Sequence, residues 1–222
     1  MKRRLISLLL VFCLMIGNVS ILGTRPVAAK SKTKKMTTYD VIVKGKTAYV
    51  SGAWCTDKIY KVNLKTKKVS AIKYKQKGAN TCHMRIKKGY LYFEQIDSGL
   101  RSLCRVKLKN PKKTDILFHQ GSGINVDYGK ECYFRYAVGK KRVYIAYNDS
   151  NKEKTIKKSM KLSGRDKKTS KYNVKNTCKK SNKKGYKLIV DDSHFDDDNF
   201  AGYVVYYLGT PSGKIKLDKV SF

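Results

Sequence analysis

A strand pattern that recurs about every 45 residues constrains the fold of this chain more than any other feature. Apolar and aromatic residues alternate with polar ones in short runs, as in residues 59–64 (IYKVNL) and 143–147 (VYIAY). Such period-two alternation, rich in tyrosine and β-branched residues, indicates β-strands, and glycine, asparagine and proline mark turns between the runs. No stretch of 12 residues shows a helical period. The sequence therefore predicts an all-β protein.

The repeat becomes visible when four runs are aligned on a shared leucine. Leu64, Leu108, Leu162 and Leu208 follow one another at steps of 44, 54 and 46 residues. A unit of this length is typical of a propeller blade, and single blades bury their faces only by stacking on neighbours. We predict a propeller-like repeat protein of about four short antiparallel blades, either a closed ring or an incomplete, open one. The predicted units lie near residues 38–80, 81–127, 128–175 and 176–222.

Two copies of one motif mark the joint between units. NTCHMRIKKGYLYF begins at Asn80 and NTCKKSNKKGYKLIV begins at Asn176, 96 residues later. In each copy K-K-G-Y predicts a tight turn, because Gly89 and Gly185 tolerate positive φ. Equivalent positions of neighbouring blades lie too far apart for a disulfide, so we interpret the recurring cysteines as small buried apolar residues. These cysteines are Cys82, Cys132 and Cys178.

The repeated motifs resemble those of a known group. G-x-x-Y-[VYF] and I-Y-[KR]-V-x-L-[KD]-x-x-x-K-K look like repeats of secreted Gram-positive, chiefly clostridial, proteins grouped as domain of unknown function 5050, relatives of the YWTD-type propellers. MKLSGRDKKTSKY and the tail YLGTPSGKIKL are especially similar to that group. The resemblance covers about residues 38–222 and implies a propeller fold. It implies no catalytic residues, since none are established for the group.

The N-terminal segment has the three parts of a secretory signal peptide. Residues 2–4 (KRR) precede an apolar run that fades by Leu22, and residues 27–29 (VAA) suit a cleavage site. The alternative is an uncleaved anchor that contacts the membrane through this segment alone, but the run is interrupted and a span needs about 20 apolar residues. We predict a secreted, extracellular or cell-wall-associated protein. Its predicted parts are a signal peptide at 1–29, a basic linker at 30–37 and the repeat domain at 38–222.

The charge of the chain favours an anionic partner. The formal net charge is +34, and removal of residues 1–29, with four basic residues and no acid, leaves about +30. Such a charge attracts polyanions at long range. The basic residues are mainly lysine, whose ammonium group acts as a hydrated point charge. Arginine, in contrast, recognises phosphate or guanine through two parallel hydrogen bonds. We therefore predict contact with an anionic cell-wall or extracellular polymer and no sequence-specific nucleic-acid recognition. The alternative is that lysine simply covers every solvent-facing surface.

The cysteines leave their pairing open. Export permits disulfides, and an odd number leaves at least one thiol free or bonded to another chain. No C-x-x-C occurs, so local spacing suggests neither a zinc site nor a redox dithiol. The five cysteines after the predicted signal peptide are Cys55, Cys82, Cys104, Cys132 and Cys178.

Two features are candidate binding sites. The stretch DDSHFDDDN at 191–199 offers carboxylates for calcium, although its spacing is not that of an EF-hand. The main alternative is a hairpin loop between strands at 186–190 and 201–208. Trp54 is a candidate for stacking on a sugar ring, with packing between blades as the alternative. The candidate calcium ligands are Asp191, Asp192, Asp196, Asp197 and Asp198.

No catalytic constellation stands out. His83, His119 and His194 are scattered, and no G-x-S-x-G is present. We expect an exported, non-enzymatic binding or cell-envelope-associated module without a cofactor. One alternative is a module that completes its propeller with a protein partner or by self-association. The other is a secreted carbohydrate-active enzyme using acidic residues at the propeller mouth. The residues available for that are Asp40, Glu94, Asp97, Asp115, Asp127 and Glu131.

Overall fold

The computed structural model describes residues 32–51, 58–73, 80–97, 100–120, 134–149 and 154–222 of the compact unit Lys32–Phe222. These residues form sixteen β-strands and no helix, so the predicted all-β class is confirmed. The described part of the chain accordingly holds no helix with the length and apolarity needed to cross a membrane.

The strands are named in chain order. The first eight are β1 (Thr33–Lys44), β2 (Thr47–Ser51), β3 (Lys58–Asn63), β4 (Val69–Lys73), β5 (Asn80–Lys87), β6 (Tyr90–Asp97), β7 (Leu100–Lys107) and β8 (Thr114–His119). The remaining eight are β9 (Phe134–Val138), β10 (Arg142–Asp149), β11 (Lys154–Lys161), β12 (Lys168–Thr169), β13 (Asn173–Ser181), β14 (Lys187–Asp196), β15 (Ala201–Thr210) and β16 (Gly213–Ser221).

The sheet topology differs from four separate blades. The order β4-β3-β2-β1-β5-β6-β7-β8, with β13 added beside β1, makes one nine-stranded sheet. β9 to β12 form a second sheet of four strands, and β14 to β16 form a third of three. The prediction of about four separate blades was therefore wrong, because the strands of the first two predicted units merge into one sheet that also takes in β13.

β1 causes this merger because it has partners on both edges. β13 runs parallel to it from Thr33 to Val41. On the opposite edge β1 pairs antiparallel with β5 at Tyr39 and with β2 from Val41 to Lys44. A twelve-residue strand is long enough to serve two partners along one edge. Period-two alternation identifies strands but not the edges that pair, so this arrangement is invisible in the sequence.

The apolar faces bury three clusters. Ile42 and Ile59 of one half of the large sheet pack with Leu91 and Phe93 of its other half, which shows that this sheet curls onto itself. A second cluster joins its β6–β8 end to the second sheet, and a third joins β1–β3 to the third sheet. The large sheet thus buries both of its faces, since Leu91 and Phe93 enter the first cluster while Tyr92, between them, enters the second.

The two K-K-G-Y turns are where the sequence predicts them. Gly89, between β5 and β6, has φ 76°, and Gly185, between β13 and β14, has φ 82°. Lys88 also has a positive φ, 48°, as the tight hairpin turns with two left-handed residues require. The prediction of tight turns at both glycines is confirmed.

A polar contact ties the third sheet to the first. Asp218 of β16 accepts hydrogen bonds from Lys58 Nζ at 2.8 Å and from the Tyr60 hydroxyl at 2.9 Å, both in β3. Tyr60 is buried, while the Lys58 and Asp218 side chains are about one-third and one-quarter exposed. This contact lies beside the third apolar cluster, which includes Tyr60.

Candidate functional site

The acidic stretch lies at the end of a hairpin. β14 continues through Asp196, so the predicted loop at 191–199 is shorter than expected, and the turn occupies residues 197–200. A bulge between Asp191 and His194 lets the strand continue past its charged residues. Asp191 accepts hydrogen bonds from Ser193, and Asp196 accepts them from the amides that follow it. The calcium hypothesis for Asp191, Asp192, Asp196, Asp197 and Asp198 stays a prediction.

Several residues singled out from the sequence fall outside the described ranges. These are Trp54, Cys55, Asp127, Glu131 and Cys132. The stacking role suggested for Trp54 therefore stays a prediction.

The three cysteines in the described ranges do not share one environment. Cys104 is buried, Cys82 is half-buried and Cys178 is exposed, and all three are free thiols. The interpretation of the N-T-C cysteines as buried apolar residues is therefore wrong for Cys178. It is incomplete for Cys82, whose side chain lies among polar groups.

The two N-T-C copies meet at one place in the structure. Cys178 lies in β13 opposite Thr38 of β1, and Cys82 lies in β5 on the other edge of the same strand. His83 follows Cys82 in β5, and ligand-type atoms of Cys82, His83 and Glu94 all lie within 4.8 Å of one another. The 96-residue spacing thus separates two strands that flank β1.

A locally unusual backbone positions His83. The residue has a backbone φ of 52°, which residues other than glycine rarely adopt. The pairing register between β5 and β6 also shifts between Cys82 and Arg85, which marks a β-bulge. The hydroxyl of the fully buried Tyr136 donates a hydrogen bond to the His83 carbonyl and so holds this bulge from the second sheet. Strained residues held by their surroundings concentrate at functional sites.

Two carboxylates complete the cluster. Glu94, fully buried in β6, lies with Oε2 at 2.7 Å from His83 Nδ1 and with Oε1 at 2.5 Å from the Arg101 guanidinium. The Cys178 thiol lies 3.7 Å from Asp40 Oδ1. We call Asp40, Cys82, His83, Glu94 and Cys178 the cysteine–histidine cluster.

The surroundings shift the protonation equilibria of the cluster. Hydrogen bonds with Cys178, Cys82 and Glu94 hold the pKa of His83 well above its ordinary value. Burial raises the pKa of the Cys82 thiol and that of the Asp40 carboxyl. The imidazolium form of His83 is therefore favoured at neutral pH, where its charge faces the carboxylate of Glu94.

The acidic residues suggested for hydrolysis that fall in the described ranges are Asp40 in β1, Glu94 and Asp97 in β6, and Asp115 in β8. Glu94 is buried and pairs with Arg101, and Asp115 pairs with Arg105 at 3.0 Å. The alternative of a carbohydrate-active enzyme stays a prediction.

A second candidate surface combines lysine with tyrosine on the third sheet. Along β15, Val204, Tyr206 and Leu208 enter the third apolar cluster, so Tyr203 and Tyr207 lie on the opposite face. Both tyrosines are half-buried, which leaves part of each ring accessible. The alternation expected of a strand therefore presents two aromatic rings, four residues apart, on an outward face.

Cations lie over these rings. Lys219 Nζ is 3.4 Å from the centroid of the Tyr203 ring, and Lys214 Nζ is 5.6 Å from that of Tyr207. The His194 ring also packs against Tyr203, with ring centroids 4.6 Å apart. We call His194, Tyr203, Tyr207, Lys214 and Lys219 the lysine–tyrosine face. Lysine over an aromatic ring is a favourable cation–π arrangement.

Sequence reasoning missed the cysteine–histidine cluster altogether. The one available signal was that His83 follows Cys82 directly inside a repeated motif, whereas the second copy has lysine after its cysteine. The lysine–tyrosine face was anticipated only in general terms, as tyrosines alternating with lysines.

Comparison with known proteins identifies one similarity. A model of the family described as a mucin-binding domain matches residues 141–208, which are 68 of the 222 residues. The resemblance to domain of unknown function 5050 and the YWTD-type propellers is therefore wrong, because the matching family is a different, all-β domain of Gram-positive surface proteins. Among curated proteins nothing matches the chain. From just before β10 to Leu208 in β15, the chain is similar to the mucin-binding domain family.

Proposed function

We propose that this chain is an exported, non-enzymatic module that binds the anionic sugar polymers of mucin at its lysine–tyrosine face. The observation that carries the proposal is the similarity of residues 141–208 to a mucin-binding domain, because this stretch includes Tyr203 and Tyr207. The predicted signal peptide at 1–29 and the net charge of +34 support export and an anionic partner.

The chemistry of the face suits acidic sugars. A tyrosine ring offers a flat apolar surface for the C–H face of a sugar, while its edge and hydroxyl accommodate water. Lys214 and Lys219 place ammonium groups beside those rings, where they can meet the carboxylates or sulfates of the polymer. Lysine is a point charge without directional preference, so the face fits a polymer with many equivalent acidic groups.

The binding should be weak at each contact and strong overall. An exposed ion pair contributes about 0.5–1 kcal/mol. Many such contacts with one polymer chain strengthen the overall binding, because the first contact raises the effective concentration of the acidic groups that remain unbound. The protein therefore needs no deep pocket. The binding should also depend on salt, because dissolved ions screen the attraction between exposed charges beyond about 8–10 Å at physiological ionic strength.

The test compares two double variants of equal charge. Lys214→Gln with Lys219→Gln removes the cations of the face, and Lys65→Gln with Lys68→Gln removes two exposed lysines next to the β3–β4 turn. Binding of the full chain to immobilised mucin is measured by biolayer interferometry. We expect the first pair to weaken binding about 5–30-fold, from two contacts of about 0.5–1 kcal/mol each, and the second by less than about 2-fold.

An equal loss of mucin affinity in the two double variants would contradict the assignment of binding to the lysine–tyrosine face. It would show that binding depends on the total positive charge and not on this face. A parallel arm replaces mucin by purified Gram-positive cell wall, the other anionic polymer that export makes available. Retention on cell wall with none on mucin would contradict the mucin assignment.

A further inference from the structure

We propose that a pocket between the first and second sheets binds one tetrahedral oxyanion, the sulfate or phosphate group of a sugar ester. The pocket has a volume of about 500 Å³ and lies between the β7–β8 hairpin and the turn that joins β11 to β12. We call it the oxyanion pocket. Its polar lining residues are Arg105, Lys113, Thr114, Asp115, Ser163 and Arg165.

Two contacts fix the β11–β12 turn against the β7–β8 hairpin. The Arg105 guanidinium, in β7, donates a hydrogen bond to the carbonyl of Leu162 in the turn. Gly164, with φ 85°, lies so close to β8 that a Cβ there would be 3.1 Å from a methyl carbon of Leu117 and 3.4 Å from its Cα. A residue with a side chain would be strained at this φ and would press on Leu117. The two walls of the pocket are therefore held together by the packing of the fold.

The turn itself is also held in place. Arg142 donates hydrogen bonds to Asp166, from Nη1 to Oδ2 at 2.8 Å and from Nη2 to the carbonyl oxygen at 2.7 Å. The amide of Lys161 donates to the carbonyl of Arg165 at 2.8 Å and so closes the turn. The backbone that presents Ser163 and Arg165 to the pocket is therefore fixed at both ends.

The pocket has an excess of positive charge. Three cationic side chains and one carboxylate line it, which leaves a formal charge of +2. Asp115 Oδ2 is 3.0 Å from both Nε and Nη2 of Arg105, so these two side chains neutralise each other. Lys113 and Arg165 are exposed and form no ion pair within the described ranges. Their charges are therefore available to an anionic ligand.

Thr114 adds a buried hydroxyl to the lining. The residue is 8% exposed, and its hydroxyl has no hydrogen-bond partner among the described residues. Because buried polar groups nearly always have a partner, an unpartnered hydroxyl beside a cationic pocket indicates that a ligand supplies the acceptor. Rotation about the Cα–Cβ bond of Thr114 would turn the hydroxyl toward an anion in the pocket.

The arrangement of the donors indicates the shape of the anion. Lys113 and Thr114 belong to the hairpin, whereas Ser163 and Arg165 belong to the turn, so the donors reach the pocket from two elements. The oxygens of a sulfate or phosphate group point in several directions and can accept from both elements, whereas the two oxygens of a carboxylate lie in one plane. Arginine binds such groups through two parallel hydrogen bonds, and lysine contributes a point charge.

The size of the pocket indicates a ligand larger than a bare anion. Sites for small organic molecules have volumes of about 300–1,000 Å³, and the oxyanion pocket falls within that range. Ile116, which also lines the pocket, is 49% exposed and offers an apolar contact for the C–H face of a sugar ring. A sugar that carries one sulfate or phosphate ester satisfies both the cationic and the apolar part of the lining.

The first test uses glucose 6-sulfate and glucose 6-phosphate as probes, with glucose and glucuronate as controls. Isothermal titration calorimetry of the full chain is performed at about 150 mM sodium chloride, where long-range attraction is screened. We expect each ester to saturate one site per chain, glucose to show no binding, and inorganic sulfate to compete at constant ionic strength. Tighter binding of the sulfate ester would identify sulfated sugars as the source of the oxyanion, and tighter binding of the phosphate ester would identify phosphorylated sugars.

Three results of this titration would overturn the proposal. The first is an affinity for the esters no higher than that for glucose. The second is tighter binding of glucuronate, whose acid is a carboxylate, than of either ester. The third is uptake of several anions per chain without saturation, which would show a general effect of the net charge.

The second test locates the site with variants. We expect Lys113→Gln with Arg165→Gln to lower the affinity for the esters about 5–30-fold, through the loss of two charged contacts. Thr114→Val keeps the shape of the side chain and should lower the affinity at least 2-fold through the loss of its hydroxyl. The control pair Lys65→Gln with Lys68→Gln removes equal charge elsewhere and should change the affinity by less than about 2-fold. Unchanged affinity in both pocket variants, or an equal loss in the control, would overturn the proposal.

The oxyanion pocket is independent of the proposed mucin binding, because the lysine–tyrosine face lies on the third sheet. Lys214→Gln with Lys219→Gln should therefore leave the affinity for the esters unchanged. A loss of ester affinity in this variant as large as that in the pocket variants would overturn the assignment to the pocket. A failure of the chain to bind mucin would leave the result with the esters intact.

Discussion

Replacement of Asp218 by asparagine tests how the third sheet is joined to the first. In the structure the carboxylate accepts hydrogen bonds from Lys58 and from the buried Tyr60 hydroxyl, at 2.8 and 2.9 Å. Asparagine has nearly the same shape, so packing in the third apolar cluster should not change. The substitution removes the negative charge and with it the ion pair.

The expected loss follows from the exposure of the partners. A hydrogen bond to a charged group contributes about 1.5–3 kcal/mol when protected, but an exposed ion pair contributes about 1 kcal/mol or less. Lys58 is 32% exposed, whereas Tyr60 is 2% exposed, so the bond from Tyr60 should dominate. We expect Asp218→Asn to lower the free energy of unfolding by about 1–2 kcal/mol at pH 7.

The effect should depend on pH with a definite sign. Burial acts to raise the pKa of Asp218, but hydrogen bonds from Lys58 and Tyr60 outweigh it and hold this pKa below the ordinary value of 3.8. Because this pKa is lower in the folded state than in the unfolded state, ionised Asp218 adds to the free energy of unfolding. This contribution is fully present above about pH 4 and is lost as the pH falls through the pKa of the folded state. The difference between the unmodified chain and the variant should therefore shrink below pH 4.

Urea unfolding of the full chain, followed by circular dichroism at pH 7 and pH 3, measures this difference from the transition midpoints. The matched control is Asp192→Asn, an exposed aspartate of β14, which should change stability by less than about 0.5 kcal/mol. Equal effects of the two substitutions at pH 7, or a loss that grows on acidification, would refute the reasoning.

Two further predictions concern the backbone. Tyr136→Phe should lower the free energy of unfolding by about 1–3 kcal/mol, measured by urea unfolding, because it leaves the His83 carbonyl without its buried donor; an unchanged midpoint would contradict the contact. Gly202→Ala should destabilise far more than Gly213→Ala in thermal unfolding. Both glycines have positive φ, 112° and 123°, but only at Gly202 would a Cβ approach a backbone atom, the His194 carbonyl oxygen at 2.1 Å. Similar losses in the two alanine variants would contradict the hairpin geometry.

The strands and their turns were predictable because they depend on neighbours in sequence. Alternation around Tyr206 marks β15, and the positive φ of Gly89 and Gly185 follows from the turn that K-K-G-Y must make. The pairing of β1 with β13 joins residues such as Thr38 and Cys178, 140 positions apart, and no local pattern records which strand edges meet. The number of sheets and the strands that each sheet contains could therefore not be predicted from the sequence.

The same reason explains the missed cluster. Spacing identified the two N-T-C copies as equivalent points of a repeat, and equivalence suggested equal roles. In the structure the copies lie on opposite edges of one strand, and only the first is followed by a histidine, His83, at a bulge. Neither the bulge nor the positive φ of His83 has a signature in residue type. Glu94 approaches His83 across the β5–β6 hairpin, whereas the contact of Asp40 with Cys178 depends on long-range pairing.

The proposed binding of acidic sugars is tested most directly by removing the sialic acid and sulfate groups from mucin. Binding of the full chain to immobilised mucin is measured between about 50 and 300 mM salt, before and after enzymatic removal of sialic acid and sulfate. Because exposed charges are screened over about 8–10 Å at physiological salt, we predict that affinity falls steadily with salt and drops at least 10-fold when the acidic groups are removed. Affinity for the stripped polymer equal to that for intact mucin, at every salt concentration, would contradict the account.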